Sequence, residues 1–210
     1  MVPARIPRLI RVLGVGLTFR IPTKKKEVFL TFDDGPIPEL TPWVLDELAK
    51  HQAKATFFMV GENASKNPEL AKRAVHEGHR IGNHTFNHLN GFKSPVAQYI
   101  SNTEKCQKVL NPFLSKNEPF LFRPPYGRIS PREIIKLKKR GYKIILWDVL
   151  SKDYDGKTSA AQCIQNVLHN VVSGSIIVMH DNIKATSNLK SALPEILKGL
   201  IKQGYTFSTL

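Results

Sequence analysis

Two adjacent carboxylates, Asp33 and Asp34, follow a short apolar segment and precede Gly35-Pro36. Like charges this close together raise the pKa of one partner, so the pair is costly unless a cation lies beside it. A divalent metal would remove that cost, with one carboxylate binding the ion and the other free to act as a base. The alternative is a turn with both side chains solvated, and we favour it for the dipeptide taken alone.

A second cluster offers nitrogen ligands. His84 and His88 are four residues apart, and on a helical turn this spacing would point both imidazoles at the same ion. Together with one aspartate they would leave a coordination position open for water or substrate, which is typical of a catalytic rather than a structural zinc site. Surface histidines at this spacing also occur by chance, so the pair is informative only together with the carboxylate.

Three further segments carry groups suited to acid–base chemistry. Arg123 precedes two prolines and could hold a catalytic carboxylate, while Tyr126 could line a pocket or offer its backbone N–H to an oxyanion. Asp148 and Asp153 follow an apolar segment, and one of them could orient a histidine and raise its pKa. His180 ends another apolar segment and suits a general acid. A structural salt bridge and a structural histidine are the alternatives for Arg123 and His180.

Seven β-branched or aromatic segments alternate with stretches of helical periodicity, which predicts an α/β fold with a mainly parallel sheet, open or closed into a barrel. The predicted strands are Val28–Phe32, Ala55–Val60, Arg80–Asn83, Phe120–Arg123, Tyr142–Val149, Ser175–His180 and Tyr205–Ser208. The candidate residues follow or end these strands. In such folds functional groups gather at the carboxyl ends of the strands, so we expect the candidates to lie together.

Residues at the helix ends give a second set of predictions. A side chain that can cap a helix precedes proline at four places: Thr41-Pro42, Asn67-Pro68, Ser94-Pro95 and Ser130-Pro131. Ser130 and Glu133 also fit a capping box. Three glycines follow helical stretches, as left-handed C-terminal caps would: Gly78, Gly141 and Gly204.

The composition is that of one globular domain: 210 residues, 41% hydrophobic, with two cysteines that allow at most one disulfide. No apolar run approaches the roughly 18 residues that cross a bilayer. The net charge of +14 makes nucleic acid, an anionic membrane or an acidic polymer worth considering as partners.

Half of that charge lies in residues 1–26, which hold seven Lys or Arg and no acid. The apolar run Val12–Phe19 is short for a signal peptide and no small-residue cleavage site follows it. We therefore expect a basic N-terminal arm over 1–26 that packs on a domain spanning 27–210. This favours a cytoplasmic or peripheral location over secretion, and the arm could contact a membrane surface.

Five motifs, TFDDGP, HTFNH, RPPYG, WDVLSKD and IIVMHD, occur in the order seen in polysaccharide deacetylases of the NodB-homology type, carbohydrate esterase family 4. The chain resembles this family from about Lys26 to Leu210. The resemblance implies a single-domain, TIM-like, distorted (β/α) barrel of seven or eight strands. It also implies a divalent metal, most often Zn²⁺, with Co²⁺ or another divalent ion as an alternative.

The resemblance also implies a role for each motif residue. Asp33 resembles the catalytic base, His180 the general acid, Arg123 the residue that orients the base, and Asp153 the carboxylate that tunes the acid. The metal ligands would be Asp34, His84 and His88. The substrate contacts would be Tyr126, Trp147 and Val178. Tyr154 stands where the family often has tryptophan, which puts the carbohydrate contact there in doubt more than the chemistry.

The implied activity is hydrolysis of N-acetyl groups on an N-acetylglucosamine-type glycan, peptidoglycan or chitin-like, with release of acetate. The acetylated glycan would be the partner of a monomeric enzyme that binds no specific nucleic acid. Deacetylation of O-acetyl xylan and amide hydrolysis on a small molecule are alternatives within the same fold. An alternative of another class is a basic protein that binds an anionic polymer and retains a vestigial site.

Overall fold

A computed structural model describes residues 4–5, 16–115 and 118–210 of the chain. Within these residues nine strands form one sheet in which every pairing between strands is parallel. The strands are β1 Leu17–Thr18, β2 Glu27–Asp33, β3 Ala55–Met59, β4 Arg80–Asn83, β5 Phe120–Phe122, β6 Tyr142–Ile145, β7 Val149–Leu150, β8 Ile176–His180 and β9 Thr206–Phe207. They are ordered β1-β6-β5-β4-β3-β2-β8-β7, with β9 added to β2.

The order of the strands forces the sheet to curl. β6 lies near one edge of the sheet and β7 lies at the other edge, yet only residues 146–148 separate them in sequence. The chain can pass from one edge to the other in three residues only if the two edges approach each other. The sheet is therefore an incomplete, distorted parallel barrel, and the fold that the resemblance implied is confirmed.

Seven α-helices of the described residues cover the outside of the sheet. They are α1 Thr41–Lys50, α2 Gly61–Lys66, α3 Pro68–His76, α4 Val96–Leu110, α5 Pro131–Lys138, α6 Ala160–Leu168 and α7 Thr186–Lys202. Val44, Leu45 and Leu48 of α1 are fully buried, as are Leu193 and Leu197 of α7. These apolar faces pack with the β-branched and aromatic side chains of the strands into the main core. Burial of this kind, rather than helix propensity, holds most helices in globular proteins.

All seven predicted strands are present, with one difference in the fifth. The predicted strand Tyr142–Val149 is divided by residues 146–148 into β6 and the start of β7, and these pair with different neighbours. The sequence also gave no indication of β1, because a two-residue strand is too short to show alternation of apolar and polar residues.

The helix-end predictions are partly right. The Ser130 capping box is present, with Ser130 Oγ accepting from Glu133 N at 3.4 Å and Glu133 Oε2 accepting from Ser130 N at 2.7 Å. The predictions for Thr41, Asn67 and Ser94 are wrong, because none of these side chains caps the helix that follows. The three glycines have φ between 80° and 83°, as left-handed caps require: Gly78, Gly141 and Gly204.

Residues 4–5 and 16–26 of the predicted basic arm lie within the described part of the chain, and the rest of the arm lies outside it. Arg5 forms an antiparallel bridge with Val149, and Leu150 N donates to Ala4 O at 2.8 Å. Half of the apolar run over 12–19 lies outside the described residues. Among the helices that are described, none has the length and apolarity needed to cross a membrane.

The two serines before prolines allow a matched test of the capping assignments. Ser130→Ala should lower the free energy of unfolding by about 1 kcal/mol, because the N–H of Glu133 in the first turn of α5 loses its acceptor. Ser94→Ala should change it by less than about 0.5 kcal/mol, since Ser94 caps no helix. Urea unfolding of both variants checks this, and equal losses would contradict the assignment of the two helix starts.

Candidate metal and catalytic site

A buried ion pair lies at the carboxyl ends of β2 and β5. Arg123, the residue after β5, donates from Nη1 to Asp33 Oδ1 at 2.6 Å and to Thr31 Oγ1 at 2.6 Å. Its Nη2 donates to Leu146 O at 3.1 Å, and its guanidinium carbon lies 4.1 Å from the centre of the Phe58 ring. Arg123 is fully buried and Asp33 is 3% exposed. Because the charges are paired and hydrogen-bonded, they are tolerated in the interior and the Asp33 carboxylate is held in one orientation.

The three predicted metal ligands converge beside this pair. Asp34 Oδ1 lies 3.0 Å from His88 Nε2 and 3.5 Å from His84 Nε2. One ligand atom from each residue fits within a group no wider than 4.8 Å. Asp34 Oδ1 is buried and has no hydrogen-bond partner among the described residues. A buried carboxylate oxygen without a donor is uncommon, so this atom indicates a place for a cation.

The tautomer of His84 supports the same conclusion. Its Nδ1 lies 2.8 Å from the carbonyl oxygen of Arg123, and a carbonyl can only accept a hydrogen bond. Nδ1 therefore carries the proton, and in the neutral ring Nε2 presents a lone pair toward Asp34 Oδ1. This is the usual arrangement around a metal-binding histidine, whose second nitrogen donates to a backbone carbonyl. His88 Nδ1 lies 3.1 Å from the Tyr126 hydroxyl.

The backbone that presents the two histidines differs from the prediction. The expected helical turn over 84–88 is wrong, because these residues form an irregular loop after β4. Thr85 and His88 have φ of 62° and 55°, in the left-handed region. The imidazole rings nevertheless meet, with their centres 5.1 Å apart. The backbone conformation of the loop therefore brings the two imidazoles together, as four-residue spacing on a helix would.

The opposite wall of the site contains an Asp–His pair. Asp153 Oδ1 lies 2.8 Å from His180 Nδ1, and Asp153 Oδ2 accepts from His180 N at 2.7 Å. Ser151 Oγ donates to Asp153 Oδ1 at 2.9 Å, and Asp153 is 1% exposed. Burial alone would lower the pKa of His180, but the charge and hydrogen bond of Asp153 outweigh it and raise that pKa to about 9. The imidazole is therefore a cation at neutral pH.

Between the two carboxylates that the sequence left as candidates, the structure places Asp153 rather than Asp148 at the histidine. Asp148 is fully buried, where its Oδ2 accepts from Ser175 Oγ at 2.8 Å. Its Oδ1 lies 3.9 Å from Arg5 Nε. Asp148 thus has a structural environment that includes the N-terminal arm.

An open cleft of about 740 Å³ joins the two walls. Eight of the ten predicted site residues line it, while Arg123 and Asp153 lie behind them and contact lining residues. Tyr126 is 62% exposed and lines the cleft. Gly127 has φ of 64°, in the left-handed region that favours glycine. A Cβ there would come within 2.8 Å of Trp147, so the close approach of Trp147 also requires glycine. Tyr154 packs against the His180 ring at 4.8 Å.

Asp181 is a positioning residue that the sequence analysis passed over, although it follows His180 in the same motif. Its carboxylate accepts from Gly35 N at 3.1 Å and from Thr41 Oγ1 at 2.6 Å. A Cβ on residue 35 would overlap this carboxylate, which explains the glycine after Asp34. Burial raises the pKa of Asp181 to about 7. The signal in the sequence was an aspartate after an apolar strand, but nothing there indicated which loop it would hold.

The comparisons with known proteins point to one family. The polysaccharide deacetylase family model matches residues 20–145. A peptidoglycan-N-acetylglucosamine deacetylase of Bacillus cereus is 39% identical over 195 residues, which cover 92% of this chain and 91% of the relative. The chain belongs to the polysaccharide deacetylase family.

Two further relatives of the deacetylase family extend the comparison. A chitooligosaccharide deacetylase of Azorhizobium caulinodans is 35% identical over 170 residues, covering 80% of this chain and 79% of the relative. A solved peptidoglycan N-acetylglucosamine deacetylase in complex with a substituted N-oxidanyl-benzamide superposes with a TM-score of 0.88 at 37% identity. That match covers 98% of this chain and 95% of the solved chain.

The Asp–His pair predicts how His180 titrates. In the metal-free protein its imidazolium should persist below about pH 9 and lose its proton as the pH rises through that value. In Asp153→Asn the midpoint should fall well below that of the unchanged protein, because burial then lacks its largest opposing charge and only the charges of Asp34 and Asp33 still oppose it. NMR titration of the histidine ring resonances measures both midpoints.

Tyr154→Phe is the control for that titration. It keeps the aromatic ring against His180 and leaves Asp153 in place, so its midpoint should stay near that of the unchanged protein. An Asp153→Asn protein that titrates like the unchanged protein would show that Asp153 does not set the charge of His180.

Proposed function

We propose that this protein is a divalent-metal-dependent hydrolase that removes N-acetyl groups from the N-acetylglucosamine residues of peptidoglycan and releases acetate. The observation that carries the proposal is one cleft lined by the Asp34-His84-His88 cluster, by the buried carboxylate of Asp33 and by the imidazolium of His180. Two of the relatives described above bear the names of enzymes with this activity. A protein that only bound an anionic polymer would have no use for all these groups together.

Asp34, His84 and His88 would hold the metal. Two imidazole nitrogens and one carboxylate oxygen, with room for a further ligand on the cleft side, suit Zn²⁺ best, and Co²⁺ suits the same set. A divalent ion bound there would supply Lewis-acid chemistry, which polarises an acetyl carbonyl and lowers the pKa of bound water. The orphaned Oδ1 of Asp34 would then have its partner.

The remaining steps use the chain's own residues. Arg123 engages Oδ1 of Asp33, and we assign to Oδ2 the removal of a proton from the attacking water. Asp153 is hydrogen-bonded to Nδ1 of His180. The Nε2–H of His180 is then free to protonate the sugar amine as the C–N bond breaks. No covalent intermediate with the protein is required. The backbone N–H of Tyr126 would support the developing oxyanion.

The cleft walls fit the rest of the substrate. Trp147 and Val178 line the cleft and are the proposed walls for the acetyl methyl group. We also propose that 27–210 is the catalytic domain and that 1–26 forms a basic arm on it. The arm contacts at Val149 and Leu150 support this division.

Acetate release from a panel of substrates tests the proposed reaction. After zinc loading, the protein should release acetate from peptidoglycan and from N-acetylglucosamine oligomers, and treatment with a chelator should abolish the release. Acetate from acetylated xylan alone would instead assign the O-acetyl esterase. If the zinc-bound protein released acetate from none of these substrates, the polymer-binding alternative would be supported.

Asp33→Asn separates the base from the metal. The variant should retain zinc and lose at least about 100-fold in kcat, because the proton of the attacking water has no acceptor. Metal analysis and acetate release on the same sample measure the two effects. Full activity in this variant would remove Asp33 from its proposed role.

His88→Ala tests the ligand set in the opposite way. It should lower zinc occupancy, since two protein ligands hold the ion far more weakly than three. His76→Ala is a suitable control because His76 lies at the end of α3, outside the cleft. Full zinc occupancy in His88→Ala would contradict the ligand assignment.

A further inference from the structure

Asn182 contacts the proposed metal site from the end of β8, although no motif pointed to it. Its Nδ2 donates to Asp34 Oδ2 at 2.5 Å. Its Oδ1 accepts from Ala185 N at 2.9 Å and so caps the short 3₁₀ turn Ile183–Ala185. Asn182 also lines the cleft.

The two contacts fix which way the amide points. A backbone N–H can only donate, so the atom facing Ala185 must be the oxygen of the amide. An ionised carboxylate can only accept, so the atom facing Asp34 must be the nitrogen. A flip of the amide would break both contacts. The hydrogen bond to Ala185 N therefore fixes the amide so that its Nδ2 faces Asp34.

The Asp34 backbone is held by other groups. Asp34 has φ of 84°, its N–H donates to Phe58 O at 3.2 Å, and its carbonyl accepts from Asn63 Nδ2 at 2.8 Å. These contacts leave the rotation of the carboxylate undecided. The hydrogen bond from Asn182 decides it, because it occupies Oδ2 and turns Oδ1 toward His84 and His88.

We propose that Asn182 is a positioning residue that selects Oδ1 of Asp34 as the oxygen that binds the metal. The inference rests on the metal site in the proposed function. Its physical basis is the general one that groups hydrogen-bonded to a ligand restrict that ligand's orientation and contribute to metal affinity. Asn182 therefore links the strand that carries His180 to the opposite wall, where the metal ligands lie.

Two substitutions separate the contact with Asp34 from the helix cap. Asn182→Ser keeps an oxygen suited to capping the turn at Ala185, but its side chain is too short to reach Asp34. Asn182→Ala loses both contacts. If the contact with Asp34 is what matters, both variants should bind zinc about 10–100-fold more weakly than the unchanged protein. Competition with a chromophoric chelator, without substrate, measures these affinities.

Cobalt substitution gives a second readout that altered folding stability would not produce. The visible spectrum of bound Co²⁺ reports its coordination, so Asn182→Ser should shift that spectrum if the Asp34 carboxylate turns. If Asn182→Ser has the same zinc affinity and the same cobalt spectrum as the unchanged protein, the inference is overturned. Weak zinc binding in Asn182→Ala alone would assign the effect to the cap of the 3₁₀ turn. Failure of the unchanged protein to bind zinc would overturn the proposed function as well, so the two failures are distinguishable.

Discussion

Arg123 carries its charge into the interior of the barrel, where a charge costs several kcal/mol unless it is paired and its N–H groups are hydrogen-bonded. Its side chain meets this condition through partners on β2 and at the end of β6: Asp33, Thr31, Ile145 and Leu146. Its carbonyl also lies at hydrogen-bonding distance from His84, beyond the end of β4. The same residue thus positions the proposed base through its side chain and a proposed metal ligand through its backbone. The strand ends cannot shift independently without leaving a buried polar group unpaired.

The site consists of two walls that different parts of the chain supply. Asp34 and the loop after β4 form one wall, and the Asp153–His180 pair beside β7 and β8 forms the other. The segment 180–182 connects them, since Asp181 holds the loop at Gly35 and Asn182 reaches Asp34. His180, the last residue of β8, and the two residues after it therefore present the proposed acid to the cleft and restrain the opposite wall. Such restraint is what a site needs if its groups are to stay oriented without reorganisation.

The sequence predicted the parts of this structure that depend on residue type and periodicity. Apolar runs located the strands, and the position of polar residues after them located Asp33, His84 and His180 at one end of the barrel. Backbone conformation was harder to predict: of the six described non-glycine residues with positive φ, five lie in loops around the site. They are Asp34, Thr85, His88, Tyr126 and Lys152. Their conformations are unfavourable locally and depend on contacts distant in sequence, which no local pattern contains. For the same reason the sequence did not predict the contacts of Asp181 and Asn182, whose partners Gly35, Thr41 and Asp34 lie 140 to 148 residues away.

The basic composition has a different meaning once the contacts are known. Half of the net charge of +14 comes from residues 1–26, and several of these cations have partners within the fold. Arg5 lies beside the buried Asp148, Arg20 donates to Ser173 O at 2.9 Å, and Lys26 lies 5.4 Å from the centre of the Tyr205 ring. A cation that pairs with a buried carboxylate mainly stabilises the folded state, and its effect on the surface potential is secondary. Arg5 is the clearest case, because Asp148, which it approaches, directly follows Trp147 and lies two residues before Leu150, and both of these residues line the cleft. Part of the charge of residues 1–26 thus stabilises the edge of the barrel beside the site. A count of charges alone is therefore weak evidence for an anionic partner.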